Sequence, residues 1–517
     1  MRITNKIMQR NNLSNINTNK VYQDKLSTQM STQKKVNRPS DDPVVAIRAL
    51  RLRSSVTEVT QYYSKNIPDA ESWLSVTEDA LKNMTQIVTS MISQCTKGAN
   101  GDLTTADREI ILEQLKALGD EVYSTGDADY AGRYVFTGYR TDTSLRFPGE
   151  QNKEYTITEQ LDSSAISSLT KVNTDKLLDW TENNYNGQEM SALDETKIDS
   201  VDVYRIRLAY NDCKEGGNVT VRFGKQVDPA TGTITFTNQW SVADGQIKEM
   251  HTYEDPYTVA ATDDDAVIYV PETGELLLGK NSYDKLMSVK DDPSTVADES
   301  EIQVEYQKSE WVKGDLRPEH YFACESEGVT YNDSYLKGDV NGQSIEYDVG
   351  FNQTIRVNST ADECFQHGIG REVDDLVASL QNVLDIEKVK GKLEKQLETA
   401  TGDDAALLNQ QLAAADKAYT LAKEKCQKLF ERGITSFQGY LDDTNLCITN
   451  CGTRSSKLEL IKNRMQNQKT TFETLKSENE DVDITEVAIQ LSSAELTYEA
   501  ALMATGKVMQ TTLLNFI

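Results

Sequence analysis

A heptad repeat near the start of the chain restricts its fold more than any other feature of the sequence. Mostly small and apolar residues follow one another in alternating steps of four and three, from Ala49 to Cys95. The best-formed part of the repeat is Ile67, Ala70, Leu74, Thr77, Leu81, Met84, Val88 and Met91. A period of 3.5 residues keeps such side chains on one seam over many turns. The repeat therefore predicts a long helix in a coiled-coil-like bundle, with a kink or restart near Asn66 because Pro68 removes a helical hydrogen bond.

The end of the chain carries the same kind of repeat. Its positions are Leu458, Ile461, Met465, Gln468, Phe472 and Leu475, followed by Ile484, Ala488, Leu491, Glu495, Tyr498, Leu502, Thr505, Met509, Thr512 and Phe516. Upstream, Thr401 and Gly402 are expected to separate two helices. Thr104 is expected to cap a helix that runs to about Tyr123. Seams at both ends of one chain predict that the terminal helices pair as an antiparallel bundle.

The sequence between the two helical regions changes to alternating apolar and polar residues, which is typical of β-strands. Hairpins are expected within residues 132–142, 204–224, 227–236 and 266–279. In the second of these, Ile206, Leu208 and Tyr210 would lie opposite Val219, Val221 and Phe223. The acidic turn at 262–266 lacks EF-hand spacing, so a solvated loop is favoured over a calcium site. The predicted class is α+β: a long antiparallel coiled-coil or helix bundle from both chain ends, with an inserted β-rich module.

These patterns also give expected domain boundaries. They are 1–36 for an N-terminal assembly helix, 37–147 for the first half of the bundle with a hairpin, 148–360 for a β-rich surface-exposed insertion of one or two subdomains, 361–483 for the second half of the bundle, and 484–517 for a C-terminal assembly helix.

Charge and hydropathy exclude several classes of partner. The net charge of −28 disfavours nucleic acid and anionic membranes. No stretch approaches the roughly 20 apolar residues that span a bilayer. The first twenty residues lack an apolar signal region, so export would need a route without a cleaved signal peptide. Residues 1–40 are basic, with Asp24 as their only acid. Without interleaved aromatic residues, a partner-paired helix is favoured over an RNA-binding arm.

Residues that could carry chemistry are scattered. The seven cysteines are odd in number and form no CxxC pair, so no disulfide framework is predicted. Cys447 and Cys451 could form half of a metal site, but there is no second pair and no nearby histidine. The three histidines, His251, His320 and His367, have no catalytic-triad or HExxH context. We therefore expect no enzyme activity, catalytic residue, cofactor or metal site.

The stretch RPSDDP interrupts the helical pattern near the N-terminus. Pro39 and Pro43 bias the residues before them away from the helical conformation. Ser40, Asp41 or Asp42 can then cap the next helix, with Pro43 at its first position. We predict that these six residues form a hinge between the terminal segment and the bundle; they are Arg38, Pro39, Ser40, Asp41, Asp42 and Pro43.

The two terminal segments are weak as isolated structures. Residues 1–36 have few apolar side chains and are expected to fray in a single chain. Residues 484–517 are richer in Ala, Leu and Met and are net acidic. We expect the two segments to become ordered by packing on each other and on neighbouring subunits. The side chains expected to make these contacts are Ile3, Ile7, Leu13, Ile16, Leu26, Leu491, Tyr498, Leu502, Met509, Leu513 and Phe516.

Several stretches resemble a known family. MRITNKIMQRNNLSNINTN at the start, LSTQMSTQKKVNRPSDDPVVAIRALRLRS after it, and CGTRSSKLELIKNRMQNQ near the end are similar to the flagellin family, and within it to the hook-associated proteins of the hook–filament junction. GRYVFTGY and QTIRVNSTADECF also resemble those proteins. Flagellins usually have an R-A-x-DD-A pattern in place of RPSDDP, so the hook-associated branch is favoured and flagellin is the alternative. The resemblance covers about 1–147 and 365–517.

The resemblance implies a function and partners. It implies an exported, extracellular structural subunit at the hook–filament junction of the bacterial flagellum, which permits filament assembly for motility. The implied partners are copies of the chain, the first hook-associated protein on the hook side, flagellin on the filament side and a cytoplasmic export chaperone. Nucleic acid and membrane insertion are not implied. An adhesive or glycan-binding role of the central insertion, or an enzyme within it, stays open.

Overall fold

A computed structural model describes residues 5–227, 234–290, 302–337 and 340–510 of the chain. Its helices are α1 (Asn5–Thr32), α2 (Pro43–Gln61), α3 (Ile67–Gly98), α4 (Thr105–Gly126), α5 (Gln188–Ser191), α6 (Pro256–Thr262), α7 (Lys280–Lys290), α8 (Ala361–Cys364), α9 (Gly368–Thr399), α10 (Asp403–Glu480) and α11 (Ile484–Gln510). None of the described helices is both long and apolar enough to cross a membrane.

The strands lie almost entirely between α4 and α8. They are β1 (Asp129–Tyr130), β2 (Arg133–Tyr134), β3 (Gln151–Leu161), β4 (Ile166–Asn173), β5 (Asp199–Arg207), β6 (Thr220–Val227), β7 (Ile234–Ser241), β8 (Lys248–Glu249), β9 (Val267–Val270), β10 (Glu275–Leu278), β11 (Ile302–Trp311), β12 (Ala323–Ser326), β13 (Val329–Tyr331), β14 (Glu346–Gly350) and β15 (Gln353–Arg356). The predicted class, a helical bundle with an inserted β-rich region, is confirmed.

The described residues form two compact units. The terminal unit contains those of residues 1–71, 347–355 and 456–517, and the central unit contains those of 72–346 and 356–455. The terminal unit holds α1, α2, α11 and most of β14 and β15, whereas the central unit holds β1 to β13 with α4 and α9.

The heptad seam of α3 is buried in the central unit. Its side chains at Leu74, Leu81, Met84, Val88, Met91 and Cys95 are each at most 1% exposed. They pack along α10 in the antiparallel sense: the Cys451 thiol donates to the Leu74 carbonyl oxygen at 3.5 Å, and Gly433 lies beside Cys95. A second antiparallel pair is formed by α4 and α9, where Arg108 binds Glu387 and Tyr123 lies against Gly370. The predicted antiparallel pairing of helices is confirmed.

Local helix signals are also confirmed. Thr104 caps α4 in a capping box with Asp107, although the helix continues past Tyr123 to Gly126. A π-helical turn at Tyr62–Asn66 precedes α3, which begins one residue before Pro68. Thr401 and Gly402 lie between α9 and α10 as expected.

The insertion contains two large sheets. One has five strands in the order β4-β5-β10-β9-β8, of which only β8 and β9 pair in parallel, and the other has six antiparallel strands in the order β13-β12-β3-β11-β6-β7. The predicted hairpin at 266–279 is confirmed as β9–β10. Strands β6 and β7 also pair as expected, and the turn between them lies outside the described residues.

Two predicted hairpins are wrong. Within 204–224, β5 and β6 belong to different sheets, because the connecting residues bind both: the Cys213 N–H donates to the Pro271 carbonyl oxygen and the Lys214 N–H to that of Gln307. The hairpin expected within 132–142 lies earlier, as β1–β2, because Ala131 and Gly132 both have positive φ and form its turn. Alternation of apolar and polar residues indicates which face of a strand is buried, but it does not indicate which other strand it pairs with.

Buried polar contacts attach the five-stranded sheet to α9. Arg205 on β5 binds Glu275 on β10 at 2.5 Å and also pairs with Asp375 on α9. The Arg371 guanidinium on α9 donates to the carbonyl oxygens of Leu208 and Thr273 at 3.1 and 2.6 Å. Because burying these charges is costly unless each is paired, they fix the orientation of the sheet on the bundle.

Gly274, in the β9–β10 turn, offers a test of this fold. Its φ is +62°, and a Cβ there would lie 1.8 Å from the Tyr210 carbonyl oxygen. We expect Gly274→Ala to lower the free energy of unfolding by several kcal/mol, since strain of about 1–2 kcal/mol adds to a backbone clash. Gly245→Ala is the matched control, because its φ is +69° but nothing lies within 4 Å. Equal losses for the two variants, measured by urea unfolding, would contradict this packing.

Candidate assembly surface of the terminal helices

The helices at the two chain ends pack on each other. Leu26 of α1 is 2% exposed and forms a cluster with Val487 and Ala494 of α11. The predicted mutual packing of the terminal segments is therefore confirmed, and the expectation that residues 1–36 fray in a single chain is wrong for the described part. Contacts with α11 supply the stabilisation that the local sequence of α1 lacks.

The structure brings only some of the predicted contact residues together. Leu26 and Leu491 meet in this cluster. Ile7, Leu13 and Leu502 are 49%, 62% and 45% exposed, and Ile16 and Tyr498 are partly buried. Met509 lies in α11, but its side chain is not described, and Ile3, Leu513 and Phe516 lie outside the described residues. Contacts of this set with other subunits stay a prediction.

Many large apolar side chains of the terminal unit are exposed. On α2 they are Val44, Ile47 and Leu50, at 67%, 55% and 63% exposure, and their three-residue spacing places them near one another on the helix surface. Others are Val21, Tyr22 and Met30 on α1, and Ile489, Leu496 and Met503 on α11. Soluble monomers rarely expose apolar residues in such groups, which is typical of an interaction surface.

The segment between α1 and α2, residues 33–42, is called the linker here. It starts with Gln33 at a φ of +58°, where α1 ends, and Lys34 then forms an isolated antiparallel bridge with Asp481 at the junction of α10 and α11. The Lys35 N–H donates to the Glu480 carbonyl oxygen at 2.8 Å, and the Val482 N–H donates to that of Gln33 at 3.1 Å. Backbone pairing therefore holds the start of the linker at this junction.

Ion pairs join the same segments. Arg53 of α2 binds Glu480 through two hydrogen bonds of 2.5 and 2.7 Å, and the Glu480 side chain is 4% exposed. Lys34 pairs with Asp481 and lies 3.6 Å from Glu480. The Arg53 hydrogen bonds lower the pKa of Glu480, and the Lys34 hydrogen bond lowers that of Asp481. We call this set of contacts the Glu480 link.

The end of the linker forms the predicted helix cap. Asp42 has extended backbone angles, its carboxylate accepts from the Val44 and Val45 N–H groups at 3.0 and 3.1 Å, and Pro43 is the first residue of α2. Asp41 instead closes a turn with Arg38: its N–H donates to the Arg38 carbonyl oxygen and its carboxylate accepts from the Arg38 N–H. Of the three capping candidates Ser40, Asp41 and Asp42, the last is the cap.

Sequence reasoning missed the Glu480 link. It placed the acidic partner of the basic segment in residues 484–517, whereas the pairs use Glu480 and Asp481 just before that range. The available signal was opposite charge alone, because nothing in local spacing connects positions more than 400 residues apart.

The histidines have environments that their spacing did not indicate. In the central unit, Glu215, His251 and Glu272 place potential metal-ligating atoms within 4.8 Å of one another. The hydrogen bond that His251 makes to the Glu272 carboxylate raises the pKa of His251. Burial lowers the pKa values of His320 and His367 to about 4, so both are neutral at pH 7.

Comparison with known proteins identifies the class of the N-terminal helices. Residues 3–141 match the model of the bacterial flagellin N-terminal helical region. Within that class, flagellar hook-associated protein 3 of Salmonella typhimurium is 30% identical over 168 residues, 32% of this chain and 53% of that protein. The protein of the same name from Escherichia coli is 28% identical over 203 residues, 38% of this chain and 63% of its own. The chain thus spans between half and two thirds of these relatives, and the resemblance to hook-associated proteins is confirmed.

Other similarities are weaker. A flagellin of Clostridium tyrobutyricum is 28% identical over 122 residues, 24% of this chain and 32% of that protein. A solved structure of a putative flagellar hook-associated protein from Vibrio parahaemolyticus covers 85% of this chain and all of its own, at 14% identity and a TM-score of 0.34. The similarity to known proteins therefore rests on the sequence matches and not on this structural match.

The Glu480 link should hold the linker against the end of α10 in a pH-dependent way. We expect Glu480→Gln to raise the rate of backbone hydrogen exchange in the linker about tenfold at pH 7. A tenfold change corresponds to the loss of ~1.4 kcal/mol of hydrogen bonding to a charged group. Glu473→Gln, at an exposed position of the same helix, is the control and should change nothing.

The sign of the pH effect follows from the lowered pKa of Glu480. Its contribution is complete above the ordinary value of 4.5 and disappears as the pH falls through the lowered value. The difference in protection between wild type and Glu480→Gln, measured by mass spectrometry, should therefore vanish in acid. A difference that persists at pH 2 would argue against the link.

Proposed function

We propose that the chain is a non-enzymatic structural subunit of the bacterial flagellum that forms the junction between hook and filament. The observation that carries the proposal is the set of exposed apolar side chains on α1, α2 and α11. The first two of these helices lie within residues 3–141, which match the flagellin N-terminal helical region. A head-to-tail contact that does not close into a ring produces a helical array of subunits. In such an array, neighbouring subunits would cover these side chains. Within the part of the chain that the structure describes, these side chains are exposed.

The proposed partners follow from a position between hook and filament. Copies of the chain would contact one another in a short zone, with the first hook-associated protein on the hook side and flagellin on the filament side. The chain would be extracellular, exported without a cleaved signal peptide and accompanied by a cytoplasmic chaperone. The proposal assigns no role to nucleic acid, membrane insertion or a cofactor.

We also propose that residues 38–43 act as a hinge for assembly. The Asp42 cap fixes where α2 begins, and Lys34 and Lys35 hold the start of the linker against the end of α10. Residues 38–41 lie between these points, and a hinge motion of α2 would have to break the Arg53–Glu480 pair. A subunit that contacts one lattice below and another above needs such an adjustable joint.

Deletion of the chain tests the function. We expect cells without it to keep hooks, to lose filaments and motility, and to release flagellin into the medium, because nothing would join filament to hook. Expression of the chain from a plasmid in these cells should restore motility. Filaments that persist without the chain would refute the junction role, and long filaments grown from purified chain on seeds would favour flagellin.

Leu50 tests whether the exposed face of α2 is used for assembly. Leu50→Glu should leave the thermal unfolding of the purified chain unchanged, since the side chain is 63% exposed. It should abolish swimming, because a carboxylate buried between subunits has no partner. Leu50→Met, which keeps an apolar side chain at the same position, is the control and should swim. If cells that carry Leu50→Glu swim normally, this face of α2 is not part of the assembly surface.

A further inference from the structure

Two of the seven cysteines contact each other in the central unit. Cys364 ends α8 and is 2% exposed, and Cys447 on α10 is 9% exposed. The Cys447 thiol donates to the carbonyl oxygen of Glu363, the residue before Cys364, at 3.2 Å. The two thiols also interact electrostatically. The Cys447 sulfur therefore lies against the backbone directly before Cys364, and all seven cysteines are free thiols in the structure.

The other cysteines have different neighbours among the described residues. The Cys213 thiol donates to the Tyr210 carbonyl oxygen, and the Cys451 thiol to that of Leu74. Cys426 bonds to Ser379, and Cys95 lies beside Gly433. Cys451 is one helical turn from Cys447 on α10 and is therefore the competing partner for it. A bridge between these two would have to distort a regular helix, whereas Cys364 approaches from another element.

We propose that Cys364 and Cys447 are a site of intramolecular disulfide formation, with a small-molecule disulfide such as oxidised glutathione as the oxidant. The bond would attach α8, where the chain leaves the β-rich insertion, to the long helix α10. The same place is already tied by Arg454 of α10, whose guanidinium donates to the Asn358 carbonyl oxygen at 2.8 Å. The inference stands on the two thiols and does not depend on the proposed flagellar role.

The reaction is a pair of thiol–disulfide exchanges. The Cys447 thiolate attacks one sulfur of oxidised glutathione, which forms a mixed disulfide and releases one glutathione thiolate. The Cys364 thiolate then attacks the Cys447 sulfur, which forms the protein disulfide and releases the second glutathione thiolate. Two electrons pass from the protein thiols to the oxidant, and the two protons of the protein thiols end on the two glutathiones.

The electrostatics of the pair give this order. The interaction with the Cys364 thiol lowers the pKa of Cys447, whereas the same interaction and burial raise the pKa of Cys364. Cys447 is also the more exposed of the two. It is therefore the sulfur that reacts first with a solution oxidant.

Mass spectrometry of the full-length protein tests the proposal. The protein is incubated with oxidised glutathione, alkylated in denaturant and digested with trypsin. We expect two of the seven thiols to be lost and tryptic peptide 357–371 to be joined to peptide 433–454. The oxidised protein should also unfold at a temperature several degrees higher, since the bond closes a long loop in the unfolded chain.

Two variants separate the possible outcomes. Cys447→Ser should form no cross-link and show no gain in Tm on oxidation, whereas Cys451→Ser should keep both. Thermal unfolding of each reduced variant reports whether it folds. Seven free thiols after oxidation, glutathione left on Cys447 alone, or a bond within peptide 433–454 between Cys447 and Cys451 would each overturn the proposal.

Discussion

The antiparallel packing of α3 against α10 is the interaction on which the rest of the fold depends. The seam pairs Leu74 with the region of Cys451 and Cys95 with that of Gly433, so its direction and register are fixed by burial over many turns. Alongside it, Tyr123 near the end of α4 hydrogen-bonds to backbone groups of Gln366, His367 and Gly370. The bundle thus brings together the two points where the chain leaves it and returns, which is why a large β-rich region can be inserted there.

Both units combine buried apolar side chains with charged contacts. In the central unit, the buried Arg205 is paired with Glu275 and Asp375. In the terminal unit, Val59, Leu458 and Met465 are buried, and the smaller cluster of α1 and α11 lies in the same unit as the Glu480 link. Such ion pairs contribute about 1–3 kcal/mol, less than a buried seam, so they adjust the position of the linker and do not hold the unit together alone.

Features that depend on nearby residues could be predicted from the sequence. The heptad of α3, the Thr104 and Asp42 caps and the break at Gly402 rest on contacts within a few residues, and each was predicted. The partners of β5 and β6 were not predictable in the same way, and the sequence wrongly paired the two strands with each other. Their alternation is compatible with any partner that covers the same face. The Glu480 link and the Cys364–Cys447 contact join positions far apart in sequence, and residue spacing contains no information about them.

The exposed apolar side chains of the terminal unit fit the physical needs of a subunit that is stable alone and then assembles. Burying one such side chain fully contributes roughly 1.5–3 kcal/mol, so a few of them from α1, α2 and α11 suffice for strong association between neighbours. They are spread over several helices, which limits the apolar area presented by any one of them. The Glu480 link joins the linker and α2 to the end of α10, together with the backbone bonds of Lys35 and Val482. In the proposed assembly, a neighbour that covers α2 would meet this helix in the position that these contacts set.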